Sequence, residues 1–168
     1  MELWDAYDKD EVKLDFDLVR GEHIPDNVYH LVCETVVRHR DGDFLLMQRA
    51  LDKEGWPGCW EVGAGGSALK GETPQQCARR ELQEECGIEA GELKQIYHTH
   101  RPEGHAIHYG YLCITDCPKD SVTLQEGETI AYKWISKGEL LKFLSSGDCI
   151  EPQKKRLKSF MEKLNREA

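Results

Sequence analysis

The stretch that leaves this chain least freedom runs from Gly65 to Ile88, GGSALKGETPQQCARRELQEECGI. A glycine-rich turn feeds straight into a helix start. Thr73 supplies an N-cap oxygen, and Pro74 suits the first helical position, where its missing N–H would have had no partner. Gln76, three residues after Thr73, can reach back to close a capping box. Gly87 then offers the left-handed residue on which many helices end. These signals predict a helix from Pro74 to Cys86.

The faces of that helix carry the chemistry. Ala78, Leu82 and Cys86 form a narrow apolar stripe that can pack on a sheet, and Glu81, Glu84 and Glu85 fall within an arc of about 100° beside it. Carboxylates so close repel one another and destabilise a helix, and a cation between them reverses the sign of that interaction. Hard oxygen ligands in an open site suit Mg2+ or Mn2+, which keep waters and bind substrate phosphates. Arg80 and Glu72 are complementary charges near the same turn and brace loop against helix. Gly63, Gly65 and Gly66 let the backbone approach an ion where a side chain would obstruct it.

Composition narrows the setting. With 168 residues the chain suits one domain with a sizeable core. A formal net charge of −9 argues against broad affinity for DNA or RNA and against an anionic membrane surface. No apolar run approaches bilayer length, and Met1–Asp10 shows no signal-peptide pattern. The 7 cysteines are odd in number and sit mostly within hydrophobic stretches, which points to reduced thiols in a cytoplasmic protein. No CxxC occurs, and nothing nearby completes a zinc site at Cys113 and Cys117.

Residues 1–27 read as an extension before the core, with a strand at Leu14, Phe16 and Leu18 and a turn at Arg20-Gly21-Glu22. A core over residues 28–150 opens with strands at Val28–Arg38 and Phe44–Arg49, joined by an Asp41-Gly42 hairpin turn. Trp56 and Trp60 can pack as wall residues or offer a base-stacking surface, and packing is the expectation. Arg49 and Lys53 lie on the approach and can neutralise a phosphate. Strands follow at Leu93–Thr99, His108–Thr115 and Tyr132–Ile135, with a loop at Arg101–Ala106. His98, His100, His105 and His108 make a histidine-rich patch around that loop, expected to be surface or substrate-facing rather than a second metal site. Ser136 and Glu139 form a second capping box, and residues 151–168 form a C-terminal helix with Leu157, Phe160, Met161 and Leu164 on one stripe. Such a mixture predicts an α/β protein with a mixed sheet covered by helices on both sides.

Gly66, Glu72, Arg80, Glu81, Leu82, Glu84, Glu85, Gly87 and Ile88 fit the pattern G-x5-E-x7-R-E-U-x-E-E-x-G-U without a departure. This resembles the signature of the Nudix hydrolases. The resemblance implies an α/β/α sandwich that uses a divalent metal to hydrolyse a nucleoside diphosphate linked to another group. It implies Glu81, Glu84 and Glu85 as carboxylate ligands, the Gly65 carbonyl as a further one, and an acidic residue from a later loop, Glu128 first and Glu126 second. Glu72 and Arg80 keep their bracing role. The proton acceptor is one of Glu81, Glu84 or Glu128. The implied partner is a small phosphorylated molecule, with no nucleic-acid polymer and no membrane; the extension and exposed aromatics leave room for a homodimer.

Trp4-Asp5-x-Tyr7, Tyr29-His30-Leu31, Trp56-Pro57-Gly58-x-Trp60 and Gly66-Ser67-Ala68 are further similar to the Nudix branch around isopentenyl-diphosphate isomerase. Gly65 stands where that branch has its catalytic cysteine, Ser67 where it has a metal-binding histidine, and His108–Cys113 holds no glutamate; Cys59 is near but out of register. The expectation is therefore a hydrolase. An isomerase and a non-catalytic nucleotide-binding module are the alternatives.

Overall fold

The computed structural model describes residues 1–167. An N-terminal hairpin comes first, β1 (Leu3–Tyr7) and β2 (Lys13–Val19), antiparallel with Trp4 opposite Leu18. The sequence reading expected the second strand and missed the first. Asp5 interrupts β1's apolar character, yet it is buried, ion-paired with Lys13 (2.8 Å) and accepting from the Gly71 N–H (2.8 Å). That bond ties the hairpin to the glycine turn.

The main sheet contains β3 (His30–His39), β4 (Phe44–Arg49), β5 (Trp60–Val62), β6 (Ala64–Ser67), β7 (Leu93–Arg101), β8 (Ala106–Thr115) and β9 (Thr129–Ile135). β3 runs parallel to β8 from His30↔Ala106 to His39↔Thr115, and the remaining pairings are antiparallel. Around the Asp41-Gly42 turn, β3 and β4 pair at Arg38↔Phe44 and then separate. Into that gap comes the segment leading to the helix, with β5 on β4 and β6 on β3. Gly63 turns the corner between them at φ 69°, and any Cβ there would run into the Thr35 carbonyl.

Strand periodicity decides which helix covers which face. Leu31, Cys33, Val37, Leu45 and Met47 pack with Cys77, Ala78, Leu82 and Cys86 of α1 (Pro74–Cys86). Val36, Phe44 and Leu46 point the other way, onto α2 (Lys137–Ser145) and α4 (Lys158–Arg166). The result is a mixed sheet between helices, an α/β/α sandwich. Both predicted capping boxes form, Thr73 with Gln76 and Ser136 with Glu139. The expected C-terminal helix divides at Leu157 into α3 (Glu151–Arg156) and α4, and the expected 101–106 loop contracts to a 3-10 turn at Pro102–Gly104. All cysteines are free thiols.

Candidate functional site

The turn before α1 is held by a single guanidinium. Arg80 donates from Nε to Glu72 (2.7 Å) and from Nη2 to Glu72 (3.0 Å) and to the Ser67 carbonyl (3.0 Å). Its Nη1 meets Glu81 at 2.7 Å and Glu84 at 3.1 Å. The predicted brace is thus present, and it fixes two of the signature carboxylates as well. Although burial works against it, Arg80 holds Glu72 below the usual carboxylate range.

Among the described residues, Glu85 has no such counter-ion. It is 7% exposed, and among the described residues its hydrogen bond comes from the Gly65 N–H, at 3.3 Å. Burial first, then the charges of Glu61 and Glu81, push its carboxyl well above the ordinary value. Burial also raises Glu81 against the opposing pull of Arg80. The glycines lie flush between strand and carboxylates: a Cβ on Gly66 would overlap the Glu81 carboxylate, and one on Gly65 would overlap the Cys33 carbonyl.

Glu128 arrives from the loop before β9, its backbone carbonyl accepting from the Ala50 N–H at 2.9 Å and its carboxylate paired with Lys53. Glu81, Glu84, Glu85, Glu128, Gly65 and Arg80 all border one hollow of about 360 Å³, together with Arg49 and Lys53. Glu126, the second choice for the later loop, is exposed and does not border it. An acidic group that sequence reasoning passed over stands close to Glu85, and its charge is among those that raise that carboxyl. Glu61 on β5 sits 3.2 Å from Arg49, and burial raises its carboxyl. A charged residue between Trp60 and Val62, one step from the glycine turn, was the available signal.

Two more hollows continue the first. One of about 210 Å³ shares Arg49, Gly65 and Gly66 with it, and reaches Glu34, His108 and Arg156. The next, of about 830 Å³, shares Trp56, Arg101 and Arg156 with the second and adds Lys155 and Lys158. A trough therefore runs from the carboxylates to a chamber of mixed charge, where Arg101, Lys155 and Lys158 stand with Glu103, Glu151 and Glu162. Glu34 and Arg156, also unforeseen, clasp in a bidentate pair (2.5 and 2.7 Å), with the Tyr97 hydroxyl donating to Glu34.

Two expectations need correction here. Trp60 is partly buried beneath Lys133, which lies 4.3 Å from its ring, but Trp56 does not pack in the wall. It is 49% exposed, at φ 56°, and faces the trough. The strained backbone swings the ring away from the core. The histidine patch also does not assemble. His108 is buried in the trough wall, His105 meets the Val28 carbonyl at 3.0 Å, and His98 and His100 turn toward Glu11, with His100 also at the edge of the far chamber. Strand alternation separates residues that adjoin in sequence.

Carboxylate oxygens crowded at a flush glycine turn, one of them buried without a counter-ion, form a donor set that fits a small hard divalent cation. A NUDIX domain profile matches residues 29–155. An uncharacterized Nudix hydrolase of Listeria monocytogenes is 37% identical over 153 residues, covering 89% of this chain and 89% of that protein. An isopentenyl-diphosphate Delta-isomerase of Corynebacterium diphtheriae is 29% identical over 133 residues, covering 74% of this chain and 73% of its own. Among solved structures, one from Deinococcus radiodurans superposes with a TM-score of 0.74 at 16% identity, covering 98% of this chain and 100% of that one. The MutT protein of Methanosarcina mazei gives 0.62 at 24% identity, over 83% and 94%. The signature, the sandwich and the extent of the profile match agree, and the chain belongs to the Nudix hydrolase family.

Proposed function

We propose that this protein is a divalent-metal-dependent pyrophosphohydrolase that cleaves the diphosphate linkage of a nucleoside diphosphate derivative. The observation that carries the reading is Glu85, a buried carboxylate crowded by Glu61 and Glu81 and lacking a counter-ion. In this reading Glu81, Glu84, Glu85, Glu128 and the Gly65 carbonyl hold Mg2+ or Mn2+. Bound there, the ion offsets charge building on the phosphoryl oxygens and makes a water more acidic. The chain's own groups do the rest. Arg49 and Lys53, on the rim of the same hollow, attract the diphosphate. Arg80 keeps Glu81 and Glu84 in place. One of Glu81, Glu84 or Glu128 accepts the proton from the attacking water.

The trough supports the substrate class. Trp56 offers an exposed ring face for a nucleobase, and the far chamber, lined by Lys155 and Lys158 together with Glu103, Glu151 and Glu162, leaves room for the group linked to the diphosphate. The catalytic core spans residues 28–150 in this assignment, and the flank at 151–167 contributes one wall of the far chamber. Isomerase chemistry is disfavoured because Gly65 occupies the cysteine position and, among the described residues, no cysteine borders the hollow.

The test is a panel of nucleoside diphosphates, nucleotide sugars, ADP-ribose, dinucleotides and isopentenyl diphosphate, incubated with Mg2+ or Mn2+. Metal-dependent release of a nucleoside monophosphate or phosphate is expected. Isomerisation of isopentenyl diphosphate without any hydrolysis would overturn the assignment.

A further inference from the structure

On the α1 side of the sheet, away from the carboxylate hollow, three donors converge. Glu11 lies in the turn of the N-terminal hairpin; His98 and His100 are two apart on β7 and so share a face. His98 Nε2 and His100 Nε2 lie 2.5 and 2.9 Å from the same oxygen, Glu11 Oε1. One ligand atom from each of the three residues falls within 4.8 Å of the others. We propose that Glu11, His98 and His100 form a second metal site, for a borderline divalent cation such as Zn2+, Ni2+ or Co2+, which clamps the hairpin turn onto β7.

The surroundings orient these groups as a ligand set requires. The Tyr109 hydroxyl donates to Glu11 Oε2 at 2.6 Å, which leaves Oε1 for the imidazoles and fixes the plane of the carboxylate. Tyr109 also stacks on His98, ring centroids 4.3 Å apart, and holds that ring's orientation. The turn is built to present Glu11: Asp8 Oδ1 accepts from the Asp10 N–H (2.8 Å) and the Val12 N–H (2.9 Å), and Glu11 itself sits at φ 61°. An isolated surface ion pair needs none of this and stabilises little.

The donor chemistry selects the ion. Imidazole with one carboxylate suits zinc, nickel and cobalt, whereas Mg2+ prefers oxygen throughout. A tetrahedral ion with bonds of about 2.0–2.2 Å holds its ligand atoms about 3.3 Å apart, so Glu11 and the rings need to part by less than about 1 Å. Three protein ligands leave one position open to water. None of the three residues borders the hollow of Glu81, Glu84, Glu85 and Glu128, and His100 also edges the far chamber, so the site is tested by metal binding and Tm rather than by hydrolysis.

The test uses the tag-free full chain, stripped with a chelator and titrated calorimetrically with Zn2+ in excess Mg2+. Wild type is expected to bind about one equivalent with a rise in Tm. His98→Ala/His100→Ala should weaken that binding by about 100-fold or more and abolish the rise, and Tyr109→Phe should weaken it about tenfold. Glu81→Gln/Glu85→Gln should leave it intact. Co2+ should give visible d–d bands without a thiolate charge-transfer band. Undiminished binding in the double histidine variant, a thiolate band, or no binding to wild type at micromolar Zn2+ would each overturn the proposal.

Discussion

A charged Glu85 is costly to the fold when nothing compensates it, because burial and its acidic neighbours all disfavour the charge. Glu85→Gln should therefore raise the Tm of chelator-treated protein at neutral pH while lowering kcat by about 10²-fold or more. Calorimetry and steady-state assays on one preparation read both effects, and a fall in Tm would deny that the carboxylate is stressed. A second residue-scale prediction concerns His30, stacked on Trp4 at 4.2 Å and lowered by burial to about 4 from 6.5. Since the folded value is the lower one, its contribution is complete above pH 6.5 and is lost as the pH falls toward 4. The shift corresponds to on the order of 3 kcal/mol, and His30→Gln should flatten the acid limb of a stability–pH curve. An unchanged limb would place that proton elsewhere. The signature residues were legible at this scale because a turn and one helix hold them, with Glu72 only eight positions from Arg80. Glu34 and Arg156 were not, because nothing local announces a pair 122 residues apart.

At the scale of elements, the wedge of β5 and β6 matters most. These strands cover three and four residues, and one is half glycine, so no sustained hydrophobic period marks them in the sequence. α1 was legible to the residue because its cap, first proline, stripe and terminal glycine agree. The junction between wedge and helix works by close approach. Gly66→Ala would force the Glu81 carboxylate aside, and we expect kcat to drop at least about tenfold with α1 intact by circular dichroism. Full activity in that variant would show that Glu81 does not need its observed position. Trp56 belongs here too. Its exposure depends on a left-handed backbone, which residue type does not encode for a tryptophan.

Across the molecule, the clasp between Glu34 on β3 and Arg156 on α3 ties the C-terminal flank to the sheet beneath the trough. Arg156→Met leaves Glu34 buried without its partner, and a loss of about 3–5 kcal/mol is expected. Arg156→Met/Glu34→Gln should recover part of that loss in denaturant titrations; losses in the two single variants that simply add in the double variant would mean that the pair is not coupled. The sandwich itself could be anticipated from alternating strands and capped helices. The trough could not, because it draws on β3, β8, α3 and the turn around Trp56, which only the folded chain brings together.

All of this chemistry rests on a cation gripped at the glycine turn against a diphosphate. Crystals grown with Mn2+ and a non-hydrolysable nucleoside diphosphate derivative test it most directly, through anomalous scattering at the manganese edge. The account predicts a peak bounded by Glu81, Glu85 and the Gly65 carbonyl, in contact with phosphate oxygens. Phosphates bound along Arg49 and Lys53 with no manganese at that turn would contradict it.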